Sequence, residues 1–195
     1  MAPDEGHHPG DAPPAGFERL GEKVGHAGHV VRLVHGRYRA PDGQTFERDL
    51  VRHPGAVNVV PVHDDGTVTL IRQLRPAVWE AVLEAPAGTC DVEGEPPEET
   101  ARRELAEEAG LTARRLRQLA VVYNSPGITD QRTILYLATG LSPCDTGRSG
   151  VEEQWMQTET VRLADVDRLV AEGRLRDATT ILGLLLSRDV LGGGG

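Results

Sequence analysis

Residues 88–110 read GTCDVEGEPPEETARRELAEEAG and contain seven Glu and one Asp but only two Arg. If this stretch is helical, Glu104, Glu107 and Glu108 fall within an arc of about 100°. A separate, narrow apolar stripe lies beside them and consists of Ala101, Leu105 and Ala109. The stretch therefore predicts a helix that docks on a core through small residues and presents three carboxylates together.

The clustered carboxylates indicate a metal site. Glu104 and Glu108 are a like-charged pair at i and i+4, which destabilises a bare helix. A divalent cation would turn this repulsion into binding energy, and hard carboxylate oxygens suit Mg²⁺ or Mn²⁺. A solvated helix of mixed charge is the alternative interpretation of these residues when they are taken alone.

The charge balance of the whole chain argues against several classes of partner. The formal net charge is −9, whereas a general nucleic-acid or membrane-surface binder needs a basic patch.

No apolar run approaches the roughly 18 residues of a membrane helix, and the N-terminus lacks the features of a signal peptide. The two cysteines, Cys90 and Cys144, make no disulfide framework, so the expected location is the reducing cytoplasm.

Strands are predicted on both sides of the acidic helix by alternating apolar and polar residues. They are expected at 29–40, 44–51, 56–62, 67–74, 119–125 and 133–141 and within 152–161. Helices are expected at 96–110, 163–173 and 177–189. Asp177 is a plausible N-cap, and Gly66 supplies the positive φ of a hairpin turn. Many strands with one central and two C-terminal helices predict an α+β fold, a mixed sheet with helices against it.

The acidic helix and its flanks resemble the box that marks the Nudix hydrolases. RELAEEAGL at 103–111 matches the second half of that box residue for residue, and Glu95 lies eight residues before Arg103, as the box requires. The resemblance extends over residues 30–190 and implies an α/β/α sandwich, a mixed sheet flanked by helices, with an N-terminal β subdomain. It also implies a structural ion pair between Glu95 and Arg103. One departure is that six residues separate Gly88 from Glu95, one more than in the box.

The resemblance also implies roles for the carboxylates. Glu104 and Glu108 are expected to be metal ligands, with Glu107 as a third ligand and the carbonyl of Ala87 as a further candidate. The expected ion is Mg²⁺, with Mn²⁺ as a possible substitute. The extra residue predicts a tolerated loop insertion that keeps the helix register, but it leaves open where the backbone of Ala87 and Gly88 lies relative to the metal.

Two further segments indicate which branch of the family the chain resembles. Pro126 lies sixteen residues beyond Gly110, a placement that resembles the ADP-ribose pyrophosphatases. EAPAG at 84–88 is similar to the lead-in of the same branch. The resemblance therefore implies metal-dependent hydrolysis of the diphosphate bond of ADP-ribose, which gives AMP and ribose 5-phosphate.

The same branch carries a catalytic base on a mobile loop, at the position that VEEQW occupies here at 151–155. Glu153 is the predicted base because the box carboxylates are needed as ligands. Glu152 is the neighbouring alternative, and Glu107 is the alternative within the box. A solvated loop charge is the other interpretation of Glu153.

Substrate contacts are predicted by position, with ordinary surface charge as the alternative for the charged candidates. The predicted substrate-binding residues are Arg48, Asp49, Arg75, Gly88 and Pro126. Aromatic residues are scarce, so Tyr38, Phe46 and Trp79 are candidates to stack on a base, although packing is their more common role.

The predicted organisation has four parts. Residues 1–16 form a disordered tail, 17–52 an N-terminal β region, 53–191 the catalytic domain and 192–195 a flexible end. The β region is expected to complete a homodimer, because open edge strands invite pairing and the family resemblance implies a dimer.

Two other functions remain open at this point. The first is a pyrophosphatase for another nucleotide sugar, such as GDP-mannose or a UDP-sugar, because the box is shared by these enzymes. The second is a ligand sensor with the Nudix fold but without catalysis. The intact carboxylates of this chain argue against the sensor.

Overall fold

The computed structural model describes residues 15–148, 150–151 and 153–193. The chain divides into two compact units. The first comprises the chain up to His53 together with Gly127–Asp130, and the second comprises Pro54–Pro126 and Gln131–Gly195. Most of the predicted N-terminal tail and the last two residues of the predicted flexible end lie outside the described residues.

The first unit is a three-stranded antiparallel sheet in the order β1-β2-β3. Its strands are β1 (Glu18–Ala27), β2 (Arg32–Arg39) and β3 (Thr45–Arg52). Every residue of β1 is exposed, and Val34 of β2 is the buried hydrophobic side chain of this sheet within the described residues. The sequence predicted β2 and β3 but not β1, in which two register shifts and repeated glycines interrupt the alternation.

The second unit contains two sheets and three α-helices. One sheet has the order β7-β4-β9-β8 and is mixed, because β4 and β9 are parallel while the other pairs are antiparallel; the second is antiparallel in the order β10-β5-β6. The strands are β4 (Ala56–Pro61), β5 (Thr67–Arg75), β6 (Glu80–Glu84), β7 (Ala87–Thr89), β8 (Leu111–Tyr123), β9 (Arg132–Pro143) and β10 (Gln157–Arg162). The helices are α1 (Pro97–Ala109), α2 (Val166–Ala171) and α3 (Ala178–Gly192), and short 3₁₀ turns span Glu153–Trp155 and Leu163–Asp165.

Strand β4 is the centre of the second unit. Its residues from Val57 to Pro61 are all buried, as expected for a strand covered on both faces. Val57 and Val59 pack in one apolar cluster with Ala101 and Leu105 of α1. Val60 belongs to a second cluster that includes residues of α2 and α3. Helices therefore cover both faces of the sheet, and the predicted α+β sandwich is confirmed.

Helix α1 begins and ends where its sequence predicts. Pro97 opens the first turn, where its missing N–H is not needed. Gly110 ends the helix in the left-handed conformation, with φ 66°, and its N–H donates to the carbonyls of Ala106 and Leu105. The apolar stripe is confirmed, since Ala101 and Leu105 are fully buried. The acidic face is thereby fixed relative to the sheet.

The remaining local predictions agree with the structure in most places. Asp177 caps α3 by accepting the N–H of Thr180 at 2.7 Å, and Gly66 has φ 77° in the β4–β5 turn. The predicted helix at 163–173 is a 3₁₀ turn followed by the short helix α2. Strands β6 and β7 and the first part of β8 were not predicted. No helix among the described residues is both long and apolar enough to cross a membrane.

Candidate functional site

Two of the three carboxylates of α1, Glu104 and Glu108, lie against the short strand β7, and the three differ in exposure. The Glu107 side chain is 40% exposed and that of Glu104 is 13% exposed, whereas Glu108 is buried. Glu108 Oε2 accepts the backbone N–H of Ala87 at 2.9 Å, which joins the helix to β7. A carboxylate can be buried at this position because a backbone donor satisfies it.

Gly88 is the point of closest approach between β7 and the carboxylates. A Cβ added at this glycine would lie 2.1 Å from Glu104 Oε1 and 2.1 Å from its carboxyl carbon. Any larger residue would therefore displace the Glu104 side chain. The position of Ala87 and Gly88, which the sequence left open, is thus directly against Glu108 and Glu104.

Arg103 supplies a positive charge inside this acidic group. Its Nη1 donates to Glu104 Oε1 at 2.7 Å and to Glu107 Oε2 at 3.0 Å. Its Nε and Nη2 donate to the two carboxylate oxygens of Glu95, each at 3.3 Å. The predicted ion pair between Glu95 and Arg103 is therefore present, and the same guanidinium also joins the carboxylates that were predicted to bind metal.

The charge of Arg103 changes the titration of Glu95. Hydrogen bonds from Arg103 and then from the Thr100 hydroxyl hold the pKa of Glu95 below its usual range. Because this pKa is lower in the folded chain, the stabilisation is present above the pKa of the unfolded chain. It is lost as the pH falls through the lower, folded value.

The residue types of this site fit a hard divalent cation. Among the described residues, no three His, Cys, Asp or Glu side chains are gathered as a ready metal cluster. The guanidinium of Arg103 bonds to two of the carboxylates of α1. That guanidinium shows where a positive charge is stabilised, between Glu104 and Glu107. Three carboxylates beside a glycine backbone form the oxygen donor set that Mg²⁺ and Mn²⁺ prefer.

The extra residue between Gly88 and Glu95 is taken up in a turn. The N–H of Glu95 donates to the carbonyl of Val92 at 3.1 Å, and Gly94 has φ 77°, a conformation that glycine adopts without strain. Glu95 still reaches Arg103 beyond this turn. The turn and the ion pair of Glu95 with Arg103 are therefore both formed with six residues between Gly88 and Glu95.

The segment between β9 and β10 passes along the end of α1. The N–H of Cys144 donates to the carbonyl of Gly110 at 2.9 Å. Glu153, the predicted base, begins the 3₁₀ turn that precedes β10, but its side chain lies outside the described residues, as does all of Glu152. The assignment of the base therefore stays a prediction.

The predicted substrate residues lie in different parts of the chain. Arg75 ends β5 and forms a bidentate pair with Glu84, whose side chain is only 8% exposed. Pro126 is exposed in the loop between β8 and β9. Arg48 and Asp49 belong to the first unit, where Asp49 contacts His35 Nδ1 at 2.5 Å.

The predicted aromatic candidates have partners of their own. Phe46 stacks on Tyr38 with ring centroids 5.4 Å apart, and the guanidinium of Arg48 lies 5.0 Å from the centre of the Phe46 ring. Trp79 lies in the β5–β6 turn with its side chain largely exposed. Packing, the alternative interpretation, is therefore what the structure gives for Tyr38 and Phe46.

Sequence reasoning missed two residues that organise this region. Glu84 holds the guanidinium of Arg75, and a charged residue at the end of the apolar run AVLE was the available signal. Arg148 donates to the backbone carbonyls of Glu108 and Met156. No local pattern marked Arg148, because its acceptors are backbone carbonyls, which every residue type carries.

Comparison with known proteins identifies the family of this chain. The family model of the NUDIX domain matches residues 52–181. An ADP-ribose pyrophosphatase of Bacillus subtilis (strain 168) is 36% identical over 154 residues, which cover 79% of this chain and 83% of that protein. An ADP-ribose pyrophosphatase of Mycobacterium tuberculosis (strain ATCC 25618 / H37Rv) is 34% identical over 177 residues, which cover 91% of this chain and 86% of that protein.

A solved structure described as an ADP compounds hydrolase has the same fold. Its TM-score with this chain is 0.79 at 23% sequence identity, and the match covers 92% of this chain and 96% of the other. At this level of identity the likeness concerns the fold alone.

We expect Gly88→Ala to weaken the binding of Mg²⁺ or Mn²⁺ by at least about tenfold, or roughly 1.4 kcal/mol, because the added methyl group displaces the Glu104 carboxylate. Calorimetric titration with each ion measures the effect. Gly192→Ala is the matched control, since nothing lies within 4 Å of its added Cβ. Unchanged affinity in a folded Gly88→Ala protein would contradict the assigned role of this glycine, and Glu104→Gln tests the same ligand without crowding the strand.

Proposed function

This chain belongs to the Nudix family, and we propose that it hydrolyses the diphosphate bond of ADP-ribose to give AMP and ribose 5-phosphate, with Mg²⁺ as its ion. The observation that carries the proposal is the carboxylate face of α1 seated on the backbone of Ala87 and Gly88. The cytoplasm is the proposed location. Mn²⁺ is the proposed substitute ion, since it takes the same oxygen ligands.

The proposed ligands of the ion are the Ala87 carbonyl, Glu104, Glu107 and Glu108. When bound, a divalent cation screens the phosphates, polarises the bond to be broken and lowers the pKa of an attacking water. Arg103 supports the ligands in two ways. Its Nη1 serves Glu104 and Glu107, while its Nε and Nη2 are held by Glu95. Arg103 could therefore give up its bonds to Glu104 and Glu107 while its bonds to Glu95 hold the guanidinium in position.

Arg75 is the proposed phosphate contact. Its side chain extends from the end of β5 and is oriented by the buried carboxylate of Glu84 through both oxygens. A guanidinium fixed in this way has fewer conformations to lose when it binds an anion, and its remaining donors suit a phosphate oxygen. Gly88 and Pro126 are proposed to shape the substrate site, and Arg48 and Asp49 are proposed to contact the adenosine end.

Selectivity for ADP-ribose is the first test of the proposed function. We expect kcat/KM for ADP-ribose to exceed that for GDP-mannose or UDP-glucose by at least about tenfold, roughly 1.4 kcal/mol. A phosphate-release assay coupled to a phosphatase measures all three substrates with Mg²⁺, with Mn²⁺ and with a chelator. A preference for a guanine or uracil nucleotide sugar would favour the alternative function. Binding without turnover in either metal would favour a ligand sensor.

The general base is the second test. We propose that Glu153 takes the proton of the attacking water, since the carboxylates of α1 are committed as ligands. Glu153→Gln should lower kcat by roughly 10²- to 10⁴-fold, with little change in the affinity for substrate or Mg²⁺. Steady-state kinetics and calorimetry measure these quantities, with Glu152→Gln as the matched neighbour.

Each outcome for the pair of variants assigns the base differently. Loss of turnover in Glu152→Gln alone would move the assignment by one residue. Wild-type turnover in both variants would remove the segment from the proton transfer and leave Glu107 as the leading candidate.

The first unit is the proposed dimer contact, because its sheet has little core of its own. Val24 of β1 is 53% exposed, and Phe17, Leu20 and Leu33 also expose more than a third of their surface. A second copy of the chain would cover these side chains and pair or shield an open edge. This surface and the family resemblance both support the proposal of a homodimer.

Light scattering should give a mass near twice the 21.0 kDa of one chain at micromolar concentration. Val24→Glu should shift the mass toward the monomer, because it places a charge in the apolar surface. Lys23→Glu is the matched control, since neighbouring residues of a strand point to opposite faces. A monomer mass for the wild-type chain would overturn the dimer proposal.

A further inference from the structure

The loop between β8 and β9 is held at its tip by strand β3. Residues Gly127–Asp130 belong to the first unit, as does β3. The N–H of Val51 donates to the carbonyl of Ile128 at 2.8 Å, and the N–H of Asp130 donates to the carbonyl of Val51 at 3.4 Å. These bonds form a short parallel bridge between Val51 and Thr129, so the tip of the loop is paired with β3.

Asp130 adds a side-chain anchor to these backbone bonds. Its Oδ2 accepts from Nη1 of Arg52 at 3.0 Å, and its Oδ1 accepts from the backbone N–H of His53 at 2.9 Å. The Arg52 side chain is only 18% exposed, and its Nε and Nη2 donate to the two carboxylate oxygens of Glu22. Hydrogen bonds between charged groups are stronger than neutral ones. Arg52 is therefore a fixed point of the sheet to which the tip of the loop is attached.

The base of the same loop is closed by a separate set of bonds. The N–H of Asn124 donates to the carbonyl of Gln131 at 3.3 Å, and the side-chain oxygen of Asn124 accepts from the Thr133 hydroxyl at 2.7 Å. Between the two attachments, Pro126 fixes its own φ and restricts the residue before it. Residues 125–128 are exposed, so the attachments of the loop, and not burial, hold this turn in place.

We infer that Asp130 is a positioning residue, which fixes the turn at 125–128 for the binding of substrate. This role rests on the proposed function, in which Pro126 shapes the substrate site and Arg48 and Asp49 contact the adenosine end. Strand β3 carries both of these proposed contacts and also holds the tip of the loop. A turn that loses its anchor must be ordered when the nucleotide binds, which lowers the affinity.

The effect is expected in substrate affinity and not in the chemical step. Asp130 bonds to Arg52, to His53 and to Val51, which all belong to the first unit. The proposed metal ligands lie in the second unit, on α1 and β7. A positioning role for Asp130 therefore predicts a change in KM with little change in kcat or in the affinity for Mg²⁺.

The test compares two variants of Asp130 with a matched control. Asp130→Ala removes the anchor but leaves Arg52 paired with Glu22, so its guanidinium keeps a carboxylate partner. Asp130→Asn keeps an oxygen for the N–H of His53 and loses the charge. The control is Glu18→Ala, which removes a carboxylate from the exposed ion pair with Arg39 in the same sheet.

Four measurements separate the attachment from its consequence. Hydrogen exchange of the peptides that contain Val51 and residues 124–131 reports the attachment without substrate. Calorimetry with ADP-ribose in the presence of a chelator reports affinity without turnover, and steady-state kinetics with Mg²⁺ separates KM from kcat. Light scattering and thermal unfolding report whether the mass and the stability of the chain have changed.

For Asp130→Ala we expect faster exchange in these peptides and not in β1 or β2. We also expect ADP-ribose to bind about tenfold more weakly and KM to rise by a similar factor, with kcat within about threefold of wild type. Asp130→Asn should lie between the wild type and Asp130→Ala. Glu18→Ala should match the wild type, because exposed ion pairs contribute little.

Unchanged exchange at Val51 and 124–131 in Asp130→Ala would show that Asp130 does not anchor the turn. Faster exchange with wild-type affinity for ADP-ribose would show that the anchor does not serve substrate binding. Faster exchange throughout the first sheet, with a lower melting temperature, would indicate a merely structural role. If Asp130→Ala does not fold, the same criteria apply to Asp130→Asn. A wild-type chain that neither binds nor hydrolyses ADP-ribose would instead reject the proposed function, and exchange would still decide whether Asp130 anchors the turn.

Discussion

The contact between helix α1 and strand β7 is the constraint on which the site depends. Glu108 is buried and accepts the N–H of Ala87, while Glu104 lies so close to Gly88 that no side chain fits between them. Both contacts use backbone atoms of β7, so the acidic face is positioned by the sheet and not by the rotamers of exposed side chains. On the apolar side, Ala101 and Leu105 are fully buried against β4, and the small side chain of Ala101 lets the helix lie close to the strand.

How much of this arrangement the sequence could predict depends on the range of the interactions. Helix α1, the Asp177 cap and the Gly66 turn follow from residues within four positions of one another, and all three were predicted. The antiparallel strand β6 and the three residues of β7 carry no periodicity of their own. Strand β8 lies at the edge of its sheet, where charged side chains are common, and its first part is rich in Arg. Its sequence pattern is therefore typical of a loop.

The residues of the candidate site likewise fall into those that local sequence patterns predicted and those that depend on contacts between distant parts of the chain. The three carboxylates of α1 and the ion pair of Glu95 with Arg103 were accessible from helical spacing and from the resemblance to the Nudix box. The hydrogen bonds from Arg148 to Glu108 and Met156 could not be predicted from the sequence. Their acceptors are backbone carbonyls, which every residue type carries. The turn that absorbs the extra residue was predicted only as a tolerated insertion. Its geometry required Gly94 to adopt a positive φ, which the sequence permits but does not demand.

Arg103 explains how an acidic site of this kind can fold before it binds a cation. Three carboxylates on one helix face would repel one another, but Nη1 of Arg103 bonds to Glu104 and Glu107. A divalent cation held by these proposed ligands would have to replace these bonds, so its net affinity would be its own attraction to the two carboxylates less that of Arg103. Glu95 would influence this net affinity without being a proposed ligand, because its carboxylate holds the Nε and Nη2 of Arg103. With the proposed ligand set, Glu95, which precedes α1, would therefore help to set the strength of metal binding through Arg103.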